Sequence, residues 1–172
     1  MDASDIERVD KCIENILSNE LINELSISFF GGEPLLAFAN VVKPIVEHTA
    51  YLASKYGKRY SIQMTTNAYL LKPEYADFLS KYNVQHYQIT LDGNKKRHNK
   101  VRSDATGRGS YDEIVANIKY VLSLGDNVIV RLNISEETNL DVPFLLNDFD
   151  GLPSESKQYL IFSIHQIWQD KK

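Results

Sequence analysis

Along these 172 residues the spacing of apolar side chains alternates, segment after segment, between the helical and the extended period. That alternation constrains the fold more than any other feature, because strands separated by helices pair in parallel through right-handed crossovers. Strands are expected at 25–30 (LSISFF), 61–67 (SIQMTTN), 86–93 (HYQITLDG), 127–135 (NVIVRLNIS) and 159–168 (YLIFSIHQIW). Helices are expected at 4–19, at 38–56, from Pro73 through Leu79, from Ser110 to about Leu124, and near 142–149. Ser4 with Glu7, and Ser110 with Glu113, have the spacing of capping boxes. Gly57 and Gly125 stand where helices end, and Pro73 stands where one begins. Residues 94–109, NKKRHNKVRSDATGRG, read as a charged, glycine-bearing loop.

Five strands with their helices fit either a doubly wound sheet or part of a β/α barrel. The strand faces favour the second. Successive strand residues point to opposite sides, so His86, Gln88, Thr90 and Asp92 share one face while Tyr87, Ile89 and Leu91 share the other. Ser61, Gln63, Thr65 and Asn67, and likewise Ile129, Arg131 and Asn133, form matching faces in their strands. In the last strand Tyr159, Ile161, Ser163 and His165 oppose Leu160, Phe162 and Ile164. A doubly wound sheet is covered on both faces and calls for nearly all-apolar strands; a closed eight-stranded barrel fills its centre with branched apolar side chains. One apolar and one polar face per strand predicts an open or incomplete parallel (β/α) barrel, TIM-like in type, with a polar inner wall. A solvent-facing antiparallel sheet is the competing reading, and the intervening helices weigh against it.

Composition closes off several function classes. The formal net charge is -4, from 23 acidic and 19 basic side chains, without the clustered basic excess of a nucleic-acid footprint. No apolar run reaches the roughly 18 residues of a membrane helix, and MDASDIERVD has no signal-peptide pattern. The expectation is a cytoplasmic protein without nucleic-acid or membrane partners. Its one cysteine, Cys12, reads as a small core or half-buried residue among Ile13, Ile16 and Leu17, and no metal site is expected.

Ligands of parallel β/α folds bind at the carboxyl ends of the strands. Those ends hold Gly31–Gly32–Glu33, Thr66–Asn67, Asp92–Gly93, Asn133–Ser135 and His165–Gln166. In GGEP, glycines let a ligand approach the backbone, Glu33 offers charge-assisted acceptors to an ammonium, and Pro34 turns the chain. A plain Gly-Gly turn before a Glu-Pro helix start is the other reading of the same residues. Taken singly, Asn67 and Asp92–Gly93 also read as turns, and His98 and Arg102 as solvated loop charges. Arg131 in mid-strand calls for a partner or ligand.

Taken in order, ISFFGGEPLL, TTNAYLL, ITLDG with its following His98 and Arg102, GRGSYDEIVANI and VIVRLNIS resemble the radical S-adenosylmethionine (radical SAM) superfamily over roughly residues 6–168. Within it they resemble anaerobic sulfatase-maturating enzymes and related SPASM-type peptide-modifying proteins. The resemblance implies that Gly31, Gly32 and Glu33 bind the amino group of S-adenosylmethionine. Thr66 and Asn67 match a TNG strand end, with Ala68 in place of the usual glycine. Thr90, Asp92 and Gly93 match SLDG, with threonine keeping the hydroxyl that contacts the cofactor. His98 and Arg102 match the loop bordering cofactor and substrate, and His165 is a further candidate there. Arg131 matches a strand position of polar cofactor contacts, and its fork suits a carboxylate.

The resemblance also implies a [4Fe–4S] cluster held by a C-x3-C-x2-C loop, reductive cleavage of S-adenosylmethionine, and oxidative or cross-linking modification of a peptide or protein side chain. One cysteine cannot supply that loop. The expectation is therefore a single-domain, truncated radical SAM core over 1–172, lacking its first strand, the cluster segment and any C-terminal domain. It would be an expressed piece, a shortened reading frame or a degenerate member, inactive alone and binding neither group stably. Its open edge beside strand 25–30 would pair with another chain. The alternative is a non-catalytic binding or scaffold module derived from the barrel. A TIM-like sugar or phosphate enzyme would need a phosphate cradle or a close carboxylate pair, and the sequence shows neither.

Overall fold

The computed structural model describes residues 3–102, 107–135 and 139–166. Helix α1 (Ala3–Leu17) leads into β1 (Glu24–Phe29). A 3-10 turn (Pro34–Ala37) and a π turn (Phe38–Val42) run into α2 (Lys43–Tyr56). Then follow β2 (Arg59–Thr66), α3 (Pro73–Leu79), β3 (Val84–Leu91), α4 (Lys95–Val101) and α5 (Tyr111–Ser123). The chain continues through β4 (Val128–Ile134), a 3-10 turn (Asn139–Asp141), α6 (Val142–Asn147), α7 (Ser154–Lys157) and β5 (Leu160–Gln166).

All five strands lie in one sheet in the order β1-β2-β3-β4-β5, and every neighbouring pair is parallel. The strand order decides between the two expected architectures. A doubly wound sheet reverses direction at a switch point, whereas this sheet winds one way throughout. Right-handed crossovers that always step in the same direction put every helix on one face. The fold is thus the α/β, partial (β/α) barrel expected from the strand faces.

The helix-side core holds Ile62, Met64, Tyr87, Ile89, Leu91, Val128, Val130 and Leu132 against α2, α3 and α5. A second cluster joins α1 to α2 through Ile13, Leu17, Ile45 and Leu52, with Leu25 and Ile27 of β1 packed beneath. On the opposite face Gln63, Gln88, Arg131 and Asn133 are half-buried and Thr65 is exposed, so the polar residues of the alternation line the uncovered wall.

Several local expectations change. Residues 95–101 form α4 instead of loop: Asn94 caps it by accepting from Arg97 N–H at 3.1 Å, and His98 is its one fully buried side chain. A helix that buries one residue has no apolar stripe to reveal it. Residues 154–157 add the short α7. Ser4 lies inside α1, and Ser110 precedes α5 without capping it; instead the Asn99 side chain accepts from Tyr111 N–H at 3.0 Å. Cys12 is exposed, because at about 100° per residue it sits one step round the helix from Ile13, which takes the core-facing position. Gly57 and Gly125 close their helices at φ 63° and 84° as expected. Residues 103–106 of the expected loop and 167–168 of the expected last strand lie outside the described residues.

Candidate functional site

At the carboxyl ends of β1, β2 and β3 a cleft of about 160 Å³ is lined by Gly31, Gly32, Thr65, Thr66, Asn67, Thr90 and Arg102. Four separate stretches of chain meet there, and six of the seven residues are ones the motifs single out. Gly31 and Gly32 have φ of 79° and 45°, and a Cβ at either would meet nothing within 4 Å. The glycines are therefore required by backbone conformation, which side chains resist, and the turn presents bare main chain to the cleft.

Glu33 ties this turn to the next strand. Its Oε1 accepts from Leu35 N–H at 3.1 Å and from the Thr66 hydroxyl at 2.6 Å; its Oε2 accepts from Asn67 N–H at 2.8 Å. A carboxylate has about four acceptor positions, so one on Oε2 is left over. Asn67 closes the turn, its Oδ1 accepting from Tyr69 N–H at 2.9 Å. Between them Ala68 has a φ of 59°, the left-handed region, which accounts for glycine at this place in the resembling motif. Asn117 of α5 holds the strained turn by donating to the Ala68 carbonyl at 2.8 Å.

A polar chain continues along the strand ends. Asp92 pairs with Arg102 through Oδ2 and accepts from Asn133 Nδ2 on Oδ1 at 3.2 Å. Asn133 Oδ1 accepts from Arg131 Nε at 3.1 Å. The terminal nitrogens of Arg131 have no hydrogen-bond or carboxylate partner among the described residues. That guanidinium is half-buried on the inner wall, so it carries an unneutralised positive charge towards the space above the sheet.

His98 does not face the cleft. It is fully buried, and Nδ1 accepts from Asp92 N–H at 3.2 Å. The ring proton therefore sits on Nε2, 3.2 Å from Ser110 Oγ, whose hydroxyl donates to the Arg102 carbonyl at 3.1 Å. Burial pushes the His98 pKa down, with Asp92 opposing and Arg102 adding to the shift. His98 thus pins Asp92 and Arg102 from behind. His165 is exposed on β5, beside Ser163 Oγ at 3.0 Å, and does not line the cleft.

Three further residues support the cleft. In the sequence Asn133 stands only on the polar face with Arg131 and at a strand end. Asn117 carried a signal, a polar residue amid the apolar stripe Ile114, Ile118 and Val121. Asp141 carried none. It is 6% exposed and clamps the β3–α4 turn, accepting from Asn94 N–H at 3.3 Å and Arg97 Nε at 2.9 Å, across more than 40 residues of chain. Among the described residues no group of three or more His, Cys, Asp or Glu side chains converges to hold a metal ion. No helix among them is long and apolar enough to cross a membrane.

Known proteins resemble this chain in sequence and in fold. The cysteine-type anaerobic sulfatase-maturating enzyme of Clostridium novyi (strain NT) is 30% identical over 130 residues, covering 72% of this chain and 33% of that protein. The Fe-coproporphyrin III synthase of Methanosarcina barkeri (strain Fusaro / DSM 804) is 29% identical over 170 residues, covering 93% of this chain and 38% of that protein. The solved structure of native anSMEcpe with bound AdoMet and Kp18Cys peptide superposes with a TM-score of 0.75 at 21% identity, over 93% of this chain and 42% of that one. This last likeness shows the shared fold. The chain spans well under half the length of each. The family model described as the Radical SAM superfamily matches residues 4–148, most of the chain and all of the cleft, and so the chain belongs to the radical SAM superfamily.

Proposed function

We propose that the cleft above β1–β3 takes S-adenosylmethionine and that the chain serves radical chemistry on a peptide or protein side chain, of the sulfatase-maturation kind, in the cytoplasm. The observation that carries this reading is the meeting of Gly31, Gly32, Thr66, Asn67, Thr90 and Arg102 around one cleft. The donor set suits an amino acid head group. Main-chain carbonyls of the glycine turn and the spare Oε2 position of Glu33 take the ammonium, and the Arg131 fork takes the carboxylate. Thr90 supplies a hydroxyl, and Asp92 with Asn133 holds Arg102 and Arg131 in place. In this superfamily reductive cleavage of S-adenosylmethionine supplies a radical that takes a hydrogen atom from the substrate. A peptide substrate is supported by the naming of the Clostridium novyi relative and by the peptide bound in the anSMEcpe structure.

An iron–sulfur cluster does not fit the residues present. Three thiolates are needed, and the sequence has one cysteine, exposed on α1. That single thiol favours a second reading for this chain taken by itself, a non-catalytic binding module on the same barrel.

The test is titration of S-adenosylmethionine into isotope-labelled protein. Saturable amide shifts are expected at Gly31, Gly32, Thr66, Asn67 and Thr90, with Kd about 1 mM, near −4 kcal/mol. Arg131→Ala removes a charge-assisted contact and should weaken binding about tenfold or more. Absence of shifts at these amides overturns the cleft assignment; an unchanged Kd in Arg131→Ala overturns the carboxylate assignment.

A further inference from the structure

Among the described residues Ala68 is the only one besides glycines with a positive φ, 59°. A side chain disfavours that conformation by roughly tenfold. Its methyl is fully buried in the helix-side core. The turn it closes is also what aligns Glu33. Ala68 N–H donates to Thr66 Oγ1 at 3.0 Å, and that hydroxyl donates to Glu33 Oε1 at 2.6 Å. Asn67 N–H donates to Glu33 Oε2 at 2.8 Å. With one lone pair of Thr66 Oγ1 taken by the Ala68 amide, the direction of the hydroxyl proton is fixed. The strained residue is gripped from the other side by α5. Asn117 is 5% exposed amid Ile114, Ile118 and Val121, and a buried amide there costs stability unless it finds partners. Its Nδ2 donates to the Ala68 carbonyl at 2.8 Å and to the Tyr69 carbonyl at 3.5 Å.

We propose that Asn117 is a positioning residue for the cofactor: it holds Ala68 left-handed and thereby sets the Glu33 carboxylate for the ammonium group of S-adenosylmethionine, without touching it. The inference rests on the cofactor reading of the cleft given above. Without the Asn117 donor, Ala68 relaxes towards the right-handed or extended backbone that alanine prefers. Its N–H then leaves Thr66 Oγ1, the Thr66 hydroxyl turns freely, and Glu33 loses its alignment. A carboxylate that must be ordered again at each binding event holds its ligand more weakly. Helix α5 supplies no residue to the lining of the cleft, so an effect of Asn117 on affinity passes through this turn. Ala68→Gly separates the two roles. Glycine takes a positive φ without steric cost, so with glycine at this position the turn no longer depends on Asn117.

A double-mutant comparison on the full chain tests this. Asn117→Leu keeps the branched shape, suits the apolar neighbours and removes only the donor, so the chain should stay folded; Asn117→Ala repeats the comparison without risk of overpacking. In either variant the Kd for S-adenosylmethionine, read from the Gly31, Gly32 and Thr90 amides, should rise about fivefold, the worth of one hydrogen bond. Ala68→Gly alone should leave the Kd unchanged, and combined with Asn117→Leu it should restore the wild-type value. Hydrogen exchange at the Asn67 and Ala68 amides gives a second readout that needs no cofactor. Exchange should run about fivefold faster in Asn117→Leu and return to the wild-type rate in the double variant. A wild type that binds while Asn117→Leu binds equally well overturns the positioning role. A weakening that Ala68→Gly fails to repair overturns it too. A wild type without saturable shifts overturns the cofactor reading; the exchange rates then still decide the hold on the turn, which unchanged exchange in Asn117→Leu overturns.

Discussion

His98→Ala tests how the cleft is held. The imidazole is fully buried in edge-to-face contact with Tyr111 (centroids 5.5 Å apart) and uses both nitrogens, towards Asp92 N–H and Ser110 Oγ. Two hydrogen bonds at about 1 kcal/mol each, plus the loss of a buried ring, predict a destabilisation of about 3 kcal/mol. For a chain of this size that lowers Tm by roughly 6–12 °C. His98→Phe keeps the ring against Tyr111 and should lose only about the hydrogen-bond part. The effect also has a pH signature. A second proton would have to sit on Nδ1, facing Asp92 N–H, and burial disfavours the cation, so the folded pKa is depressed. A depressed folded pKa contributes stability that is whole above the unfolded value, about 6.5 for histidine, and is lost as pH falls below it. The slope reaches at most about 1.4 kcal/mol per pH unit. Asp126, whose carboxyl burial pushes up to about 6, works the other way, its contribution being lost as pH rises towards that value. It is common to wild type and variant and cancels in their difference. Urea unfolding between pH 7.5 and 5 should therefore show wild type losing its advantage over His98→Ala as pH falls, a window set by the unfolded histidine value of about 6.5. Parallel stability curves, or a loss at neutral pH below about 1 kcal/mol, would refute the neutral-pin reasoning.

Asn117→Ala removes one of two donors to the buried Ala68 carbonyl, which keeps Leu71 N–H at 3.2 Å, and should cost about 1 kcal/mol, read by thermal unfolding, with amide shifts concentrated at 67–69. Gly93→Ala forces a Cβ to within 2.7 Å of Asp141 Oδ2 and Arg97 Cδ at a φ of 84°. About 3 kcal/mol of destabilisation is expected, and a stable variant would show that the Asp141 clamp yields freely. Tyr87→Phe removes a buried hydroxyl that has no hydrogen-bond partner among the described residues; stability should be unchanged or rise by about 1 kcal/mol, and a marked loss would show that the hydroxyl is bonded. Anaerobic reconstitution with iron and sulfide should load no cluster; about four irons per chain would overturn that expectation.

The parallel α/β order, the polar inner wall and the glycine turn are legible in the residues alone, because each is a local matter. Strand residues alternate faces whatever they pair with, and Gly31–Gly32–Glu33 carries its own backbone requirement. The same locality let Gly57 and Gly125 mark helix ends correctly while misassigning the capping residues. How the wall is wired emerges only once the chain has folded. The spare charge of Arg131, the pinning of Asp92 by His98 and the Asp141 clamp depend on which groups meet after folding. Asp141 reaches Arg97 across 44 residues of chain, a distance that no periodicity encodes. Folding decides also that His98 is inside and Cys12 outside, since a helix face acquires an inside only when something packs against it.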